Sequence, residues 1–276
     1  MIEGPPPRPD LGPNAPPLPV SAVLESRTGL KGRPPARWSA WESLGIFLLG
    51  NLLIGQVVVA AIILVVMGVD QVSSGSAGAP ELAATLGADI ATVAVLVIWL
   101  NVRHRRWVQV LGWPARGERL REIGYGLVAG PVVYAFVAFV AALVLSLLLG
   151  ALSGQDVTTP EQIDAEGLSR AGQILTVLVA VVVAPITEEF LFRGVLFRAI
   201  RDRRGFWPGA VISAVVFGLV HFVPGPWQDT VLLQSIMVCT GFALAFVYER
   251  RGNLLAPIVT HMAFNAIGVT LILGSS

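Results

Sequence analysis

The sequence predicts an all-α protein, a polytopic transmembrane helical bundle with about seven membrane helices. Of the 276 residues, 54% are hydrophobic and only 13% are charged, whereas about a quarter of the residues in an ordinary soluble domain are charged. The hydrophobic residues also form runs of about 20, the length that an α-helix needs to cross about 30 Å of hydrocarbon. Together these observations indicate a membrane protein rather than a soluble enzyme.

A proline-rich segment precedes the helices. Residues 1–37 hold ten of the 19 prolines and few aliphatic runs, so they cannot bury enough apolar surface to fold alone. We expect residues 1–40 to form a disordered cytoplasmic arm, and whether it binds a partner or only acts as a spacer stays open. The arm lacks the short apolar core and cleavage site of a secretory signal peptide.

Apolar runs give the order of the helices. They lie at about 42–69, 82–101, 123–150, 171–201, 207–223, 231–248 and 254–273. We divide them into N-terminal membrane helices (41–170) and a C-terminal core (171–273) that carries the motifs described below. All seven tryptophans lie near the ends of these runs, where an indole pairs its apolar ring with the headgroup zone. The single Cys239 lies in an apolar run, which excludes a disulfide framework.

The distribution of cations predicts the orientation. Lys and Arg collect before the first helix, after the second, after the fourth and before the last, and the connections between these are poor in cations. Because cytoplasmic loops carry the excess of Lys and Arg, we place the N-terminus in the cytoplasm and the C-terminus outside. One membrane helix more or fewer would place the C-terminus on the opposite side of the membrane. The net charge of +1 gives no indication of a nucleic-acid partner.

Three polar clusters interrupt the apolar runs. They contain Glu188, Glu189 and Arg193; His221; and His261 and Asn265. Ionisable groups inside a membrane helix are costly and are functional candidates by default. The remaining histidine, His104, stands among arginines in a connection and is expected on a solvated face.

Spacing assigns a role to each member of the clusters. Glu189 and Arg193 are one helical turn apart and can form an ion pair, while Glu188 is rotated by about 100° and faces elsewhere. His261 and Asn265 share a face, so both can reach one pocket. Glu188, His221 and His261 can hold zinc and leave one position for water, which a metal ionises near neutral pH.

Each cluster alone also has an ordinary interpretation, as a helix end, a packed histidine or an asparagine between helices. The depths of the three clusters in the membrane favour the interpretation that they form one site. If the fourth helix continues to Arg201, Glu188 lies about 20 Å below the surface, His221 about 25 Å and His261 about 15 Å. Pro185, whose ring removes a backbone donor, would kink this long helix just before Glu188 and admit water.

The motifs resemble a known family. Glu-Glu-x-x-x-Arg, Phe-x-x-x-His and His-x-x-x-Asn, in this order over about residues 171–273, are similar to the CPBP intramembrane proteases, which include the type II CAAX prenyl endopeptidases and the bacteriocin-processing Abi proteins. The resemblance implies a catalytic centre of Glu188, His221 and His261. It also implies that Asn265 supports this centre by stabilising the oxyanion, and that Glu189 and Arg193 form a structural pair. Whether zinc or a glutamate-activated water is used stays open.

The resemblance implies an intramembrane endopeptidase in a prokaryotic plasma membrane, with the lipid bilayer and a peptide or protein substrate as partners. A CAAX-like tail and a leader peptide are equally open as substrates, as is the oligomeric state. Two other classes are considered: a scaffold or immunity protein with the same fold but no chemistry, and a small transporter. The chain shows no symmetry between its two halves, and we expect the first half to bury no charge, which argues against a transporter.

Overall fold

The computed structural model describes residue 30, residues 33–58, residues 61 and 64, residues 78–160 and residues 170–275. These parts of the chain are helical and contain no strand. In chain order, the helices are α1 (residues 40–58), α2 (Gly78–Arg103), α3 (Trp107–Leu111), α4 (residues 119–153), α5 (residues 170–204), α6 (Phe206–Val220), α7 (Trp227–Arg251) and α8 (Leu255–Ser275).

The predicted set of apolar helices is confirmed. Within the described residues, five helices are long and apolar enough to cross a membrane, and they lie at Thr85–Arg103, Trp107–Ser153, Gly172–Arg204, Trp227–Arg251 and Leu255–Gly274. Two shorter apolar helices, Ala40–Gly55 and Phe206–Val220, complete the set. Most of the predicted continuation of the first helix to residue 69 lies outside the described residues.

Local sequence signals fix where several helices begin and end. Ser39 and Glu42 form a capping box at the start of α1, in which each side chain accepts from the other residue's backbone N–H. Gly205 and Gly252 follow α5 and α7 with φ of 87° and 67°, a conformation that favours glycine. These two glycines let the chain turn directly into α6 and α8.

Helix α5 is continuous from residue 170 to residue 204, as the depth argument required. Wide π-helical turns at Leu178–Val183 and Glu189–Phe197 lie on either side of Pro185. Such turns change the register of the backbone hydrogen bonds and are frequent at functional sites. They accommodate a residue without an N–H while leaving Glu188 inside a continuous helix.

Packing surrounds α5 with the other helices. Its middle part, which carries Glu188, contacts α2 and α8, and the following turns contact α6 and α7. Helix α4 packs along α8, and α6 along α7. Helix α5 therefore presents its polar residues to several neighbours at once.

The end of the predicted disordered arm is instead part of the core. Leu30, Ala36 and Trp38 are buried, and the indole N–H of Trp38 donates to the carbonyl of Val195 at 2.9 Å. The predicted arm was thus too long at its C-terminal end; its residues 1–29, 31 and 32 lie outside the described residues. Trp38 is also not interfacial, in contrast to Trp41, which is 80% exposed.

His104 lies only partly on a solvated face, because it is half-buried and lines a surface cavity. Its ring lies edge-on to Trp38 and Trp99, with ring centroids 5.1 and 5.0 Å away. Its Nε2 atom is buried. The rings of Trp38 and Trp99 thus cover one side of this imidazole, although arginines surround it in sequence.

Candidate active site

Three helices bring one carboxylate and two imidazoles together. Glu188 lies in the middle of α5, His221 directly follows the last turn of α6, and His261 lies in the second turn of α8. One oxygen of Glu188 is 3.7 Å from Nε2 of His221, and the other is 3.7 Å from Nε2 of His261. The predicted meeting of these side chains is present in the structure.

Hydrogen bonds on the far side of each ring set its tautomer. Nδ1 of His221 lies 2.7 Å from the carbonyl oxygen of Phe217, which can only accept, so Nδ1 carries the proton. Nδ1 of His261 lies 2.9 Å from a carboxylate oxygen of Glu189 and donates in the same way. In the neutral rings, both Nε2 lone pairs are therefore directed at the space beside Glu188.

Glu189 has two functions, of which the sequence predicted one. The predicted ion pair is confirmed: Arg193 donates to Oε1 of Glu189 at 2.7 Å, and both side chains are fully buried. The same oxygen also accepts from His261, a link between distant segments that helical spacing cannot reveal. Arg193 is further held by the carbonyl of Gly241 at 3.1 Å and lies over the ring of Phe217 at 4.5 Å.

Asn265 connects α8 to the helix that carries Glu188. Its amide Nδ2 donates to the carbonyl of Ala180 at 2.8 Å. Ala180 lies in the π-helical segment Leu178–Val183, where the wide turn changes the backbone hydrogen-bond register. This bond uses one of the two amide hydrogens, so one remains for another acceptor.

The described members of the site differ in their exposure. The side chains of Glu188 and His221 are 22% and 19% exposed, whereas that of His261 is 4% exposed and that of Glu189 is 0% exposed. A ligand can therefore reach the Glu188 carboxylate and the His221 ring, while the groups that orient His261 are shielded.

The donor set fits zinc in its chemistry. Metal-bound histidines usually donate their second ring N–H to a carboxylate or backbone carbonyl, as His261 and His221 do here. Two ligands of a tetrahedral zinc lie about 3.4 Å apart, slightly less than the 3.7 Å observed between each imidazole and Glu188. Among the described residues, no three His, Cys, Asp or Glu side chains lie close enough together to hold a metal ion.

The sequence analysis missed two buried carboxylates in the first half of the chain. Asp89 in α2 is 8% exposed, and its Oδ2 atom is buried without a hydrogen-bond partner among the described residues. Its helix packs against the part of α5 that carries Glu188. Glu122 in α4 is 1% exposed and accepts from Arg251 and Asn253 at the arginine-rich end of the bundle.

The expectation that the first half buries no charge was therefore wrong. Asp89 could have been found by the rule that identified Glu188, because it is an acidic residue inside the apolar run predicted at 82–101. It carries no recognisable motif, and its proximity to Glu188 depends on the packing of α2 against α5.

Residues 170–267 match the family model of the type II CAAX prenyl endopeptidase Rce1-like proteins. The resemblance to this endopeptidase family is confirmed. The matched segment contains all three motifs and covers roughly a third of the chain. The helices before α5 lie outside the match, including α2 with Asp89.

Curated relatives agree with the family match. An uncharacterised 24.3 kDa protein of Escherichia coli is 29% identical over 180 residues, 64% of this chain and 76% of its own length. The putative membrane peptidase YdiL of Bacillus subtilis strain 168 is 34% identical over 97 residues, 35% of this chain and 37% of its own. Human CAAX prenyl protease 2 is 26% identical over 100 residues, 32% of this chain and 30% of its own.

The chain thus spans less than half of the two relatives that are named as peptidases. No solved structure matches it significantly. The apolar helices and the match to a membrane-protease family together identify the chain as an integral membrane protein.

Proposed function

We propose that this protein is a membrane-embedded endopeptidase that hydrolyses a peptide bond in a membrane-associated substrate, either a CAAX-like tail or a leader peptide. The observation that carries the proposal is the position of Glu188, whose two carboxylate oxygens each face an imidazole Nε2 at 3.7 Å. The family match and the relatives named as peptidases support the same reaction class.

In the proposed mechanism, Glu188 acts as the general base. A water molecule between Glu188, His221 and His261 gives a proton to the carboxylate, and its oxygen attacks the carbonyl carbon of the substrate peptide. Glu188 then returns the proton to the leaving amine as the peptide bond breaks. The second hydrogen of the water donates to one of the two Nε2 lone pairs, which are available because the opposite nitrogens already donate.

The developing oxyanion needs a donor. Asn265 has a second amide hydrogen besides the one that it gives to Ala180, and the imidazole of His261 is the alternative donor. Removing one donor of this kind typically raises the barrier by about 2.7–4 kcal/mol.

A resident zinc ion is the metal-dependent alternative of this proposal. Glu188, His221 and His261 would hold it, with Glu189 and the carbonyl of Phe217 orienting the two rings from behind. A bound zinc ion would polarise the substrate carbonyl and lower the pKa of water. Metal analysis of the purified protein and of its His221→Ala variant tests this assignment, and equal zinc content in the two would exclude it.

The deciding experiment compares Glu188→Gln with the wild type in the full-length membrane protein. We expect the variant to insert and fold but to lose peptide cleavage, and proteomics of the strain that produces it should show an accumulating membrane-associated precursor. Glu118→Gln makes the same chemical change at an exposed position on the arginine-rich side and should behave as wild type. Wild-type cleavage by Glu188→Gln would exclude the proposed base.

A transporter is the second class to test, because Asp89 places another buried carboxylate near Glu188. Ionisable groups inside a membrane are also typical of proton pathways. Proton flux into vesicles that contain the purified protein separates the two functions. Flux that depends on Glu188, without peptide cleavage, would favour transport; a scaffold or immunity protein would show neither activity.

A further inference from the structure

An arginine-lined cavity lies apart from the candidate active site, at the arginine-rich end of the bundle. Its volume is about 550 Å³, and its lining includes Arg37, Arg103, Arg105, Arg106, Trp38 and Trp107. Pockets for small ligands typically measure about 300–1,000 Å³. The cavity is therefore large enough for the polar part of a lipid.

The positive charge of this cavity is largely uncompensated. No carboxylate belongs to its described lining. Of the described carboxylates near it, Glu42 approaches Arg103 only at 4.0 Å, and Asp202 already pairs with Arg198 and Arg201. Burial lowers the pKa of His104, so at neutral pH the charge comes from the arginines. Their guanidinium groups match the geometry of phosphate oxygens.

A second arginine-lined cavity differs from the first because carboxylates also line it. Arg121 and Arg251 line it together with Glu118 and Glu122. Arg251 donates to both oxygens of Glu122, and Arg121 pairs with both glutamates. These arginines already have anionic partners in the protein, whereas the first cavity offers its arginines to an external anion.

Exposed apolar side chains flank the lining residues of the first cavity in sequence. Trp41 is 80% exposed and Val102 is 74% exposed, one residue before Arg103. A ligand in the cavity thus meets guanidinium groups at one end and lipid-facing side chains at the other. This combination fits an amphiphile with an anionic headgroup better than a soluble anion or an acidic peptide.

The wall of the cavity is fixed to α5. The carbonyl of Pro34 accepts from Arg198 at 2.9 Å, and the N–H of Ala36 donates to Asp202 at 2.8 Å. On the opposite wall, Trp107 packs against Phe190, with 6.3 Å between ring centroids. Contacts within the protein therefore hold the cavity in shape, and its walls join the N-terminal segment and the Arg-rich connection to the helix of Glu188.

We propose that this cavity binds the phosphate headgroup of an anionic phospholipid from the adjacent leaflet. The guanidinium groups of Arg105 and Arg106 contact the phosphate oxygens, and the acyl chains lie along the exposed apolar surface beside Trp41 and Val102. The site is separate from the proposed peptidase chemistry and does not depend on it.

The test measures lipid binding by the full-length protein in nanodiscs of neutral phosphatidylcholine, with phosphatidylglycerol added in increasing fractions. Native mass spectrometry counts the retained phosphatidylglycerol molecules. A basic residue at a membrane surface contributes about fivefold in affinity, so the double variant Arg105→Gln/Arg106→Gln should bind phosphatidylglycerol about 25-fold more weakly than the wild type. Arg116→Gln, at an exposed position on the same side, should bind as the wild type does.

Four outcomes would overturn the proposal. Equal retention by the wild type and the double variant would show that the cavity does not bind the lipid, and an equal loss in Arg116→Gln would show a diffuse effect of surface charge. Inorganic phosphate that competes at the same concentration as the lipid headgroup would identify a phosphate site instead. Displacement by an acidic peptide, with no retention of phosphatidylglycerol, would identify a peptide site.

Discussion

Glu189 determines the orientation of the proposed site although it does not face the reacting space. One of its oxygens accepts from both Arg193 and His261, so the ion pair and the imidazole share a single acceptor in a fully buried environment. A carboxylate in such a place depends on its cation, since an uncompensated buried charge is strongly destabilising.

We therefore expect Arg193→Ala to unfold more easily than the wild type, by about 3–5 kcal/mol, because it leaves Glu189 buried without its cation. Thermal unfolding in detergent and accumulation in the membrane measure this effect. The control is Arg204→Ala, which removes an exposed arginine from the end of the same helix and should change stability little. Equal stability of Arg193→Ala and the wild type would show that the pair does not hold the fold.

At the residue scale, the sequence predicts what helical geometry alone determines. The pairing of Glu189 with Arg193 and the different direction of Glu188 follow from the rotation of about 100° per residue. The bond from His261 to Glu189 and the proximity of Asp89 to Glu188 could not be predicted, because both depend on how separate helices pack. The motifs thus identify the reacting groups but not the groups that position them.

At the scale of helices, the packing of α4 against α8 sets the position of His261. Gly126 and Gly130 form a G-x-x-x-G pattern in α4, which lets the backbones of membrane helices approach closely. A Cβ atom at Gly126 would lie 2.6 Å from the Cβ of Val259, and one at Gly130 would lie 2.8 Å from the carbonyl oxygen of Thr260. Thr260 directly precedes His261, so a shift of α8 would move the imidazole.

Gly130→Val should accordingly lower both thermal stability and peptide cleavage, because a side chain at this position forces α4 and α8 apart. Gly124→Val is the matched control: it makes the same change in the same helix, but a Cβ atom there meets nothing within 4 Å. Cleavage rate and unfolding temperature are measured for both variants. The close approach would have no functional importance if the two variants behaved alike.

Helix α5 shows which properties of a helix can be predicted from the sequence. Its length to the arginines followed from the need to bring Glu188 to the depth of the histidines, and the structure has this continuous helix. The π-helical turns around Pro185 were not predicted, because a hydrophobic run does not reveal the register of its backbone hydrogen bonds. Nor does it reveal that Asn265 reaches the carbonyl of Ala180 in one of these turns.

For the whole molecule, the number and order of the helices could be read from the apolar runs, whereas the ordered end of the N-terminal segment could not. Trp38 lies among prolines, a serine and arginines in sequence, yet it is fully buried against Val195. A local pattern of polar residues cannot show that a neighbouring helix will cover the one large aromatic ring among them.

Sidedness is the remaining prediction for the whole molecule, and it follows from charge. Helix α5 leads from the acidic connection that includes Asp156 to the cationic end at Arg204, so the positive-inside rule places Arg204 in the cytoplasm and Asp156 outside. Single cysteines at these two exposed positions, in a Cys239→Ser background, report the orientation through a membrane-impermeant maleimide. We expect Asp156→Cys to be labelled in intact cells and Arg204→Cys only after permeabilisation. The reverse pattern would invert the orientation, and labelling of both in intact cells would contradict a crossing by α5.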